Sequence, residues 1–210
     1  NLDSAKHTSL FLRARLGQLE LKRRVNPSAT MDAYLELLSL ARSLGDNELY
    51  YLVLDKVSTV NYGLENYEQA TQQARESIAY YRATGDTVKL AMRYRLLSGQ
   101  FRGMGEIDST IFYLEKAIDL VERMQVPVAI CSNYHVLGWV LLDIDLKRAE
   151  TYLRKAEELD EKYDIQNTQL PFVVSLLEEQ KGNFITAVKK ARVSYSRAWS
   201  AKQLFINFQC

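Results

Sequence analysis

Apolar and small side chains recur along the chain at the spacing of a buried helix face. One segment places them at Tyr94, Leu97, Ser98 and Phe101, and a later segment repeats the spacing at positions 134, 137, 138 and 141. Steps of three, four and seven residues are typical of the side of an amphipathic α-helix that packs against the rest of a protein. The pattern therefore predicts a helix in each segment.

A second pattern, made of small residues and leucine, follows each of these segments. Its positions are separated by four and then three residues, and its four copies begin at Ala70, Thr110, Ala149 and Ala187. The steps between these starts are 40, 39 and 38 residues. Repetition at a nearly fixed period is typical of solenoid proteins, in which each repeat packs against its neighbours. We therefore predict a helical repeat array.

Residues that end and begin helices separate the two patterns. The second helix of each unit is preceded by Asn66, Glu106, Asp145 or Asn183, of which Asn and Asp are strong N-caps and Glu is a weak one. Successive units are joined at Gly45-Asp46, Gly85-Asp86 and Gln125-Val126-Pro127. Glycine favours the end of a helix, and Asp favours the start of the next one. Each unit is thus predicted to be a helix, a short turn and a second helix.

These signals predict an all-α protein in which residues 1–210 form a single solenoid domain. Five helical hairpins are expected near residues 4–44, 47–84, 86–124, 127–163 and 166–200. Residues 201–210 are expected to begin a further helix. One hairpin cannot bury its apolar stripe alone, so the hairpins should stack into an α-α superhelix, with small residues such as Gly138 and Ala149 allowing helices to approach closely.

The repeated residues resemble the tetratricopeptide repeat (TPR) family. The match is clearest where Tyr134, Leu137, Gly138 and Leu141 on a first helix are followed by Ala149, Leu153 and Ala156 on a second. The period near 40 residues is longer than the usual 34 of the family. The resemblance implies a right-handed superhelix whose concave groove is lined by the first helix of each hairpin.

The resemblance also implies which side chains face that groove. Carried over position by position, the partner-binding residues are Asp55, Thr59, Tyr62, Arg95, Arg102, His135 and Trp139. Such a groove would suit an extended peptide or an amphipathic helix with a negative group near Arg95 and Arg102. Trp139 could anchor a partner or pack in the core. His135 has no Asp, Ser or Cys beside it in a nucleophile arrangement, which favours an ordinary groove histidine.

Composition and charge limit the other possibilities. The 210 residues are 47% hydrophobic and 25% charged, with 27 basic and 26 acidic side chains. With a formal charge of +1, no global field attracts nucleic acid or anionic lipid, so we expect neither direct nucleic-acid binding nor membrane insertion. Cys131 and Cys210 have no partner at metal-ligand spacing, and we therefore expect no metal and no cofactor.

One glycine cluster keeps an enzymatic alternative open. Gly99, Gly103 and Gly105 are spaced somewhat like a loop that binds phosphate. Such loops follow a strand and end in Gly-Lys-Ser or Gly-Lys-Thr, or carry the Gly-x-Gly-x-x-Gly fingerprint, whereas here a helix precedes the glycines. The sequence therefore predicts a non-enzymatic protein. A domain that binds a nucleotide or small molecule, and a purely structural spacer, remain the alternatives.

The function predicted is a non-catalytic scaffold that binds a protein or peptide. Long-period arrays with Gly-Asp junctions resemble those of bacterial transcriptional regulators and sensor kinases, which implies the sensing or interaction part of a larger regulatory protein with an output domain beyond Cys210. A homodimer is also possible, through Leu204, Phe205, Ile206 and Phe208. The expected location is the cytoplasm, with a periplasmic part of a membrane-anchored regulator as the alternative.

Overall fold

The computed structural model describes the backbone of residues 2–23 and 28–207 and the side chains of residues 7–23 and 29–200. Ten α-helices lie within those ranges, with a 3-10 turn at Ser28–Thr30 before the second. They are α1 Leu2–Arg23, α2 Met31–Ser43, α3 Asn47–Gly63, α4 Tyr67–Thr84, α5 Thr87–Gly103, α6 Ile107–Arg123, α7 Pro127–Leu141, α8 Leu146–Lys162, α9 Leu170–Gln180 and α10 Phe184–Asn207. The all-α prediction is confirmed. No helix in the described part of the chain is long and apolar enough to cross a membrane.

The last helix differs from the sequence prediction. We expected residues 201–210 to begin a new helix, but α10 continues without interruption to Asn207. The physical reason is that the sequence from Phe184 to Asn207 contains no Gly or Pro that would end a helix. Residues 208–210 lie outside the described residues, as do the side chains of Leu204, Phe205 and Ile206, on which the possible homodimer was based.

The helices group into two compact units. The first unit spans Asn1–Tyr113 and the second spans Leu114–Cys210, so the boundary falls inside α6. In the first unit, α2, α3, α4 and α5 pack in succession, each against the next. In the second unit, α7 packs against α8, and α9 packs against α10 and α8. That residues 1–210 form a single domain stays a prediction.

Small residues at the predicted positions bring the two helices of a hairpin together. In the second unit, Ala149 and Ala156 on α8 are completely buried. A Cβ atom added to Gly138 on α7 would lie only 2.6 Å from Cγ of Leu153. Because no real Cβ tolerates so short a contact, α7 and α8 approach each other more closely here than any other residue would permit.

Aspartate side chains cap the starts of α3, α5 and α8. Oδ1 of Asp46 accepts a hydrogen bond from the backbone N–H of Leu49 at 2.9 Å, and Asp86 and Asp145 make the same bond at the starts of α5 and α8. Such a bond satisfies one of the unpaired N–H groups in a first helical turn. Asn66 also stands at an N-cap position, but its side chain makes no capping hydrogen bond.

Candidate partner-binding site

Two neighbouring helices of the first unit, α3 and α5, carry four of the predicted groove residues on accessible positions. Thr59 and Tyr62 on α3 are half-buried, as is Arg102 on α5, while Arg95 on α5 is exposed. We call these four residues the α3–α5 row. Arg95 and Arg102 are seven residues apart, so they lie on the same side of α5, about 10 Å from each other along the helix axis.

Direct contacts place α3 and α5 side by side. Nε2 of Gln100 on α5 donates a hydrogen bond to Oγ of Ser58 on α3 at 2.9 Å, and both side chains are buried. A Cβ added to Gly99 would lie 3.8 Å from the Tyr62 hydroxyl. Arg95, Gly99 and Arg102 are four and three residues apart, so they lie on the same side of α5. The Tyr62 ring therefore lies next to the side of α5 that carries both arginines. The α3–α5 row is therefore one continuous surface.

The aromatic ring of Tyr62 is held in place from a second direction. Its centroid lies 5.7 Å from that of Tyr67, the first residue of α4, with the two planes tilted by 55°. Its neighbour in the row, Thr59, is also fixed, because Oγ1 of Thr59 donates a hydrogen bond to the carbonyl of Asp55, one helical turn earlier, at 2.8 Å. Tyr62 is therefore an ordered and accessible aromatic group, which is the type of side chain that most often anchors a binding partner.

The charge of the α3–α5 row comes from its two arginines. Arg95 reaches solvent, but desolvation by the protein around it lowers the pKa of its guanidinium. An arginine remains protonated at neutral pH despite such a shift. A guanidinium that is incompletely hydrated pairs favourably with a carboxylate or phosphate, and its planar shape allows two parallel hydrogen bonds. The row thus combines a fixed aromatic ring with positive charge.

Asp55 does not lie on this surface, contrary to the sequence prediction. Its side chain is buried: Oδ1 lies 3.1 Å from Nη1 of Arg93 on α5, and Oδ2 accepts a hydrogen bond from the hydroxyl of Tyr81 on α4 at 2.8 Å. Burial raises the pKa of the Asp55 carboxyl, and the charge of Arg93 opposes that rise. The reason for the difference is that Asp55 points between helices, where it links α3 to α4 and α5.

The two predicted groove residues of the second unit differ from each other. His135 on α7 is buried, so its expected place on a groove surface does not agree with the structure. It stands at the same position of its repeat as Asp55, which is buried too. Trp139, one turn further along α7, is 43% exposed. Of the two, only Trp139 presents a large accessible surface to a partner.

Of the glycine cluster, Gly105 lies in the turn between α5 and α6, whereas Gly99 and Gly103 belong to α5. Gly105 has a φ of +77°, which favours glycine. Its N–H donates to the carbonyl of Arg102 at 3.0 Å, and the N–H of Glu106 donates to that of Phe101 at 2.9 Å. These bonds complete a Schellman motif at the end of α5, so they use the N–H groups that a phosphate would need. Gly182 repeats the geometry before α10. The turn therefore accounts for Gly105, while a Cβ added to Gly103 would lie only 2.5 Å from the ring of Tyr67, so close packing accounts for that glycine.

A cleft of about 560 Å³ in the second unit was not anticipated from the sequence. Its residues come from the end of α6, the start of α7 and the end of α8, and include Glu122, Tyr134, Lys155 and Tyr163. The hydroxyl of Tyr134 donates to Oε1 of Glu122, and the ammonium of Lys155 lies 5.6 Å from the centroid of the Tyr134 ring. These polar groups therefore pair with one another across the cleft. No sequence motif marks the site, because its residues converge only on folding.

Within the described residues, no group of three or more His, Cys, Asp or Glu side chains is arranged to hold a metal ion. The thiol of Cys131 is buried and donates to the carbonyl of Ala156 at 3.4 Å. Burial raises its pKa to about 11. At neutral pH this cysteine is therefore an unreactive thiol that fills space between α7 and α8.

Comparison with known proteins identifies the fold. No family model matches the sequence, and no curated protein does so either. Many solved structures, however, share its architecture. One is BtubC (BKLC) from P. vanneervenii, with a TM-score of 0.76 and 15% identity over 95% of this chain and 86% of that one.

Two further solved structures are also similar to this chain. A Rap protein complexed with Competence and Sporulation Factor has a TM-score of 0.74 and 18% identity, over 87% of this chain and 52% of that one. A signal transduction ATPase with a tetratricopeptide repeat sensor, from Pyrococcus horikoshii, has a TM-score of 0.69 and 17% identity, over 85% of this chain and 29% of that one. The chain thus spans about half of the first protein and under a third of the second. Identities this low establish the fold alone.

Proposed function

Because the chain has the fold of a TPR-type helical array, we propose that it is a non-catalytic scaffold that binds a peptide or protein segment along the first helices of its hairpins. The observation that carries the proposal is the α3–α5 row, where an ordered aromatic ring, Tyr62, adjoins the helix side that bears Arg95 and Arg102. Within the second unit, Trp139 offers a second exposed aromatic group on α7.

The chemistry of the α3–α5 row defines the partner. Two guanidinium groups separated by about 10 Å along α5 suit a segment with two carboxylates or phosphates at a similar distance. In an extended peptide, that distance corresponds to about three residues. Tyr62 would pack against an apolar or aromatic side chain between the two charges. The expected ligand is therefore an acidic peptide with a central apolar residue.

The regulatory context is supported by the similar structures. One of them is a protein bound to Competence and Sporulation Factor, and another belongs to a sensor within a signal transduction ATPase. By analogy, this chain would be the sensing or interaction part of a larger regulatory protein. The peptide-binding surface would then convert the presence of a partner into a change elsewhere in that protein.

A selection from a random peptide library displayed on phage tests this function. The expected result is an enriched consensus with two acidic residues about three positions apart and an apolar residue between them. Selection against the Arg95→Glu/Arg102→Glu variant should lose that consensus, while selection against Arg123→Glu, an exposed arginine on α6, should retain it. Enrichment that is the same with all three proteins, or no enrichment at all, would contradict the proposal.

A further inference from the structure

The last helix, α10, exposes an apolar stripe along one side. Phe184, Val188, Tyr195 and Trp199 are between 51% and 70% exposed. Steps of four, seven and four residues put these side chains on a single helix face, which the exposed Ala191 completes. The rings of Tyr195 and Trp199 stack with their centroids 6.3 Å apart. Contiguous apolar surface of this kind marks an interaction site.

Comparison with the equivalent helix of an earlier hairpin, α4, shows how such a stripe is covered. Position by position, Val188, Ala191 and Tyr195 of α10 correspond to Thr71, Ala74 and Ile78 of α4, because α4 and α10 both follow an asparagine at the same place in their hairpins. In α4 all three positions are buried, and α5 packs against that helix. In α10 the same three positions are not buried. The stripe is therefore a surface that a following helix covers in an earlier hairpin.

The first helix of the same hairpin, α9, also exposes an apolar residue at a position that is covered in the first unit. Phe172 on α9 is 50% exposed and stands at the repeat position of Asp55 on α3. In the first unit, Arg93 from α5 covers Asp55. Both α9 and α10 thus expose apolar side chains at the positions where α3 and α4 contact α5. We call Phe172, Val188, Ala191, Tyr195 and Trp199 the end face.

Charge beside the end face distinguishes between possible occupants. Residues 184–200 include four basic side chains and no Asp or Glu. Lys190 pairs with Glu157 of α8, and Arg197 pairs with Asp160 at 2.7 Å. Lys189 and Arg192 are exposed and form no ion pair with any described side chain. Two copies of this face would bring like charges together, whereas a helix with acidic flanks would be attracted.

We propose that the end face binds an amphipathic α-helix with acidic residues beside its apolar stripe. The helix would place apolar side chains at the spacing that α5 uses to pack within the array, which is that of Ala91, Tyr94, Leu97 and Phe101. Its acidic residues would meet Arg192, which lies on the same side of α10 as Val188 and Tyr195. This surface lies on the last hairpin and is separate from the α3–α5 row.

The experiment uses a 17-residue peptide with the sequence of α5, Thr87–Gly103. In the acidic version, Lys89, Arg93, Arg95 and Arg102 are each replaced by Glu; in the control version, the sequence is unchanged. Fluorescence anisotropy of labelled peptide, titrated with the 210-residue chain, measures both affinities. The acidic peptide should bind at least ten times more tightly than the control, and the difference should shrink at high salt, which screens charge.

Variants of the chain locate the binding. Tyr195→Glu and Arg192→Glu should each weaken binding of the acidic peptide at least ten-fold, while Val128→Glu, at another exposed apolar position, on α7, should not. The same two variants are also made in the Arg95→Glu background, because the α3–α5 row is itself proposed to bind acidic peptides; the same losses should appear there, which separates the end face from that row. All variants change exposed side chains, and circular dichroism verifies that their helix content is retained.

Three results would overturn the proposal. The first is equal binding of the acidic and control peptides. The second is binding that Tyr195→Glu and Arg192→Glu leave intact. The third is a dimer, seen by sedimentation velocity, that Tyr195→Glu converts to a monomer, since the end face would then be occupied by a second copy of the chain.

Discussion

Nη1 of Arg93 lies 3.1 Å from Oδ1 of Asp55, and the two side chains are only 8% and 7% exposed. This ion pair joins α5 to α3 within the first unit, and the hydroxyl of Tyr81 on α4 adds a hydrogen bond to the same carboxylate. Three helices thus meet at one buried charge. The sequence resemblance had placed Asp55 on a binding surface, whereas the contacts give it a role in packing.

Removing one partner of this pair should destabilise the protein strongly. Asp55→Ala leaves Arg93 as a buried charge without its partner, so we expect the free energy of unfolding to fall by about 3–5 kcal/mol. The triple variant Asp55→Leu/Arg93→Met/Tyr81→Phe removes both charges and the Tyr81 hydroxyl, leaves the buried Ser77 hydroxyl in place, and should recover most of that loss. Urea unfolding followed by circular dichroism gives both values. Equal losses in the single and triple variants would contradict this role.

Acid should weaken the protein through Glu20 on α1. Burial raises the pKa of this carboxyl, but hydrogen bonds from Lys56, Tyr34 and Arg23 outweigh it and lower the pKa to about 2. A pKa lowered by folding contributes stability that is present above the unfolded value near 4.5 and is lost as the pH falls towards 2. Between pH 5 and pH 2, the free energy of unfolding of the wild type should fall by on the order of 2 kcal/mol more than that of Glu20→Gln. This figure is smaller than the full pKa shift implies, because Glu20 is partly exposed and solvent screens its charge. Parallel pH dependences in urea unfolding would refute the assignment.

Two glycines inside helices should respond oppositely to substitution by alanine. At Gly138 the new Cβ would lie 2.6 Å from Leu153, whose side chain is completely buried, so we expect a loss of about 1–3 kcal/mol. At Gly99 the Cβ would make an ordinary contact of 3.8 Å with Tyr62, and alanine should stabilise the helix by about 0.5–1 kcal/mol. Thermal unfolding of the two variants side by side checks the prediction. Changes of the same sign would disagree with the packing described above.

Two turns should become more stable when glycine is introduced. Glu65 and Gln125 have φ values of 63° and 53° at the ends of α3 and α6, in the left-handed region that glycine occupies at Gly105. A side chain in this region costs about 1 kcal/mol or more. Glu65→Gly and Gln125→Gly should therefore each raise the free energy of unfolding by about 1 kcal/mol, and Gly105→Ala should lower it by a similar amount. A loss of stability in the first two variants would count against this turn geometry.

The same turns show what the sequence could predict and what it could not. The repeat spacing and the glycines at 45 and 85 indicated the helices and most of their ends, because those signals are local. Glu65 carries no such signal, and its positive φ accompanies the turn in which the N–H of Asn66 donates to the carbonyl of Asn61. The repeat period predicted an end near residue 200, but α10 continues to Asn207 because no Gly or Pro interrupts it.

For the candidate site, the sequence predicted the repeat positions of the groove residues better than it predicted whether their side chains are exposed. The resemblance placed Tyr62, Arg95, Arg102 and Trp139 at positions that the structure leaves accessible. It could not foresee that Asp55 would turn towards Arg93, because that contact joins residues 38 positions apart and depends on how α3 and α5 pack. The end face could be recognised only by comparing burial at equivalent positions of α4 and α10.

The most direct test of the proposed function is a charge exchange across the α3–α5 row. A peptide that carries the selected acidic consensus is titrated by calorimetry into wild type, into Arg95→Glu/Arg102→Glu and into the control Arg123→Glu. A second peptide carries lysines in place of its acids. We predict that the acidic peptide binds wild type and the control equally, that the double variant loses at least ten-fold in affinity for it, and that the lysine peptide prefers the double variant. Equal affinity of the acidic peptide for all three proteins would contradict the proposal that this row binds a partner.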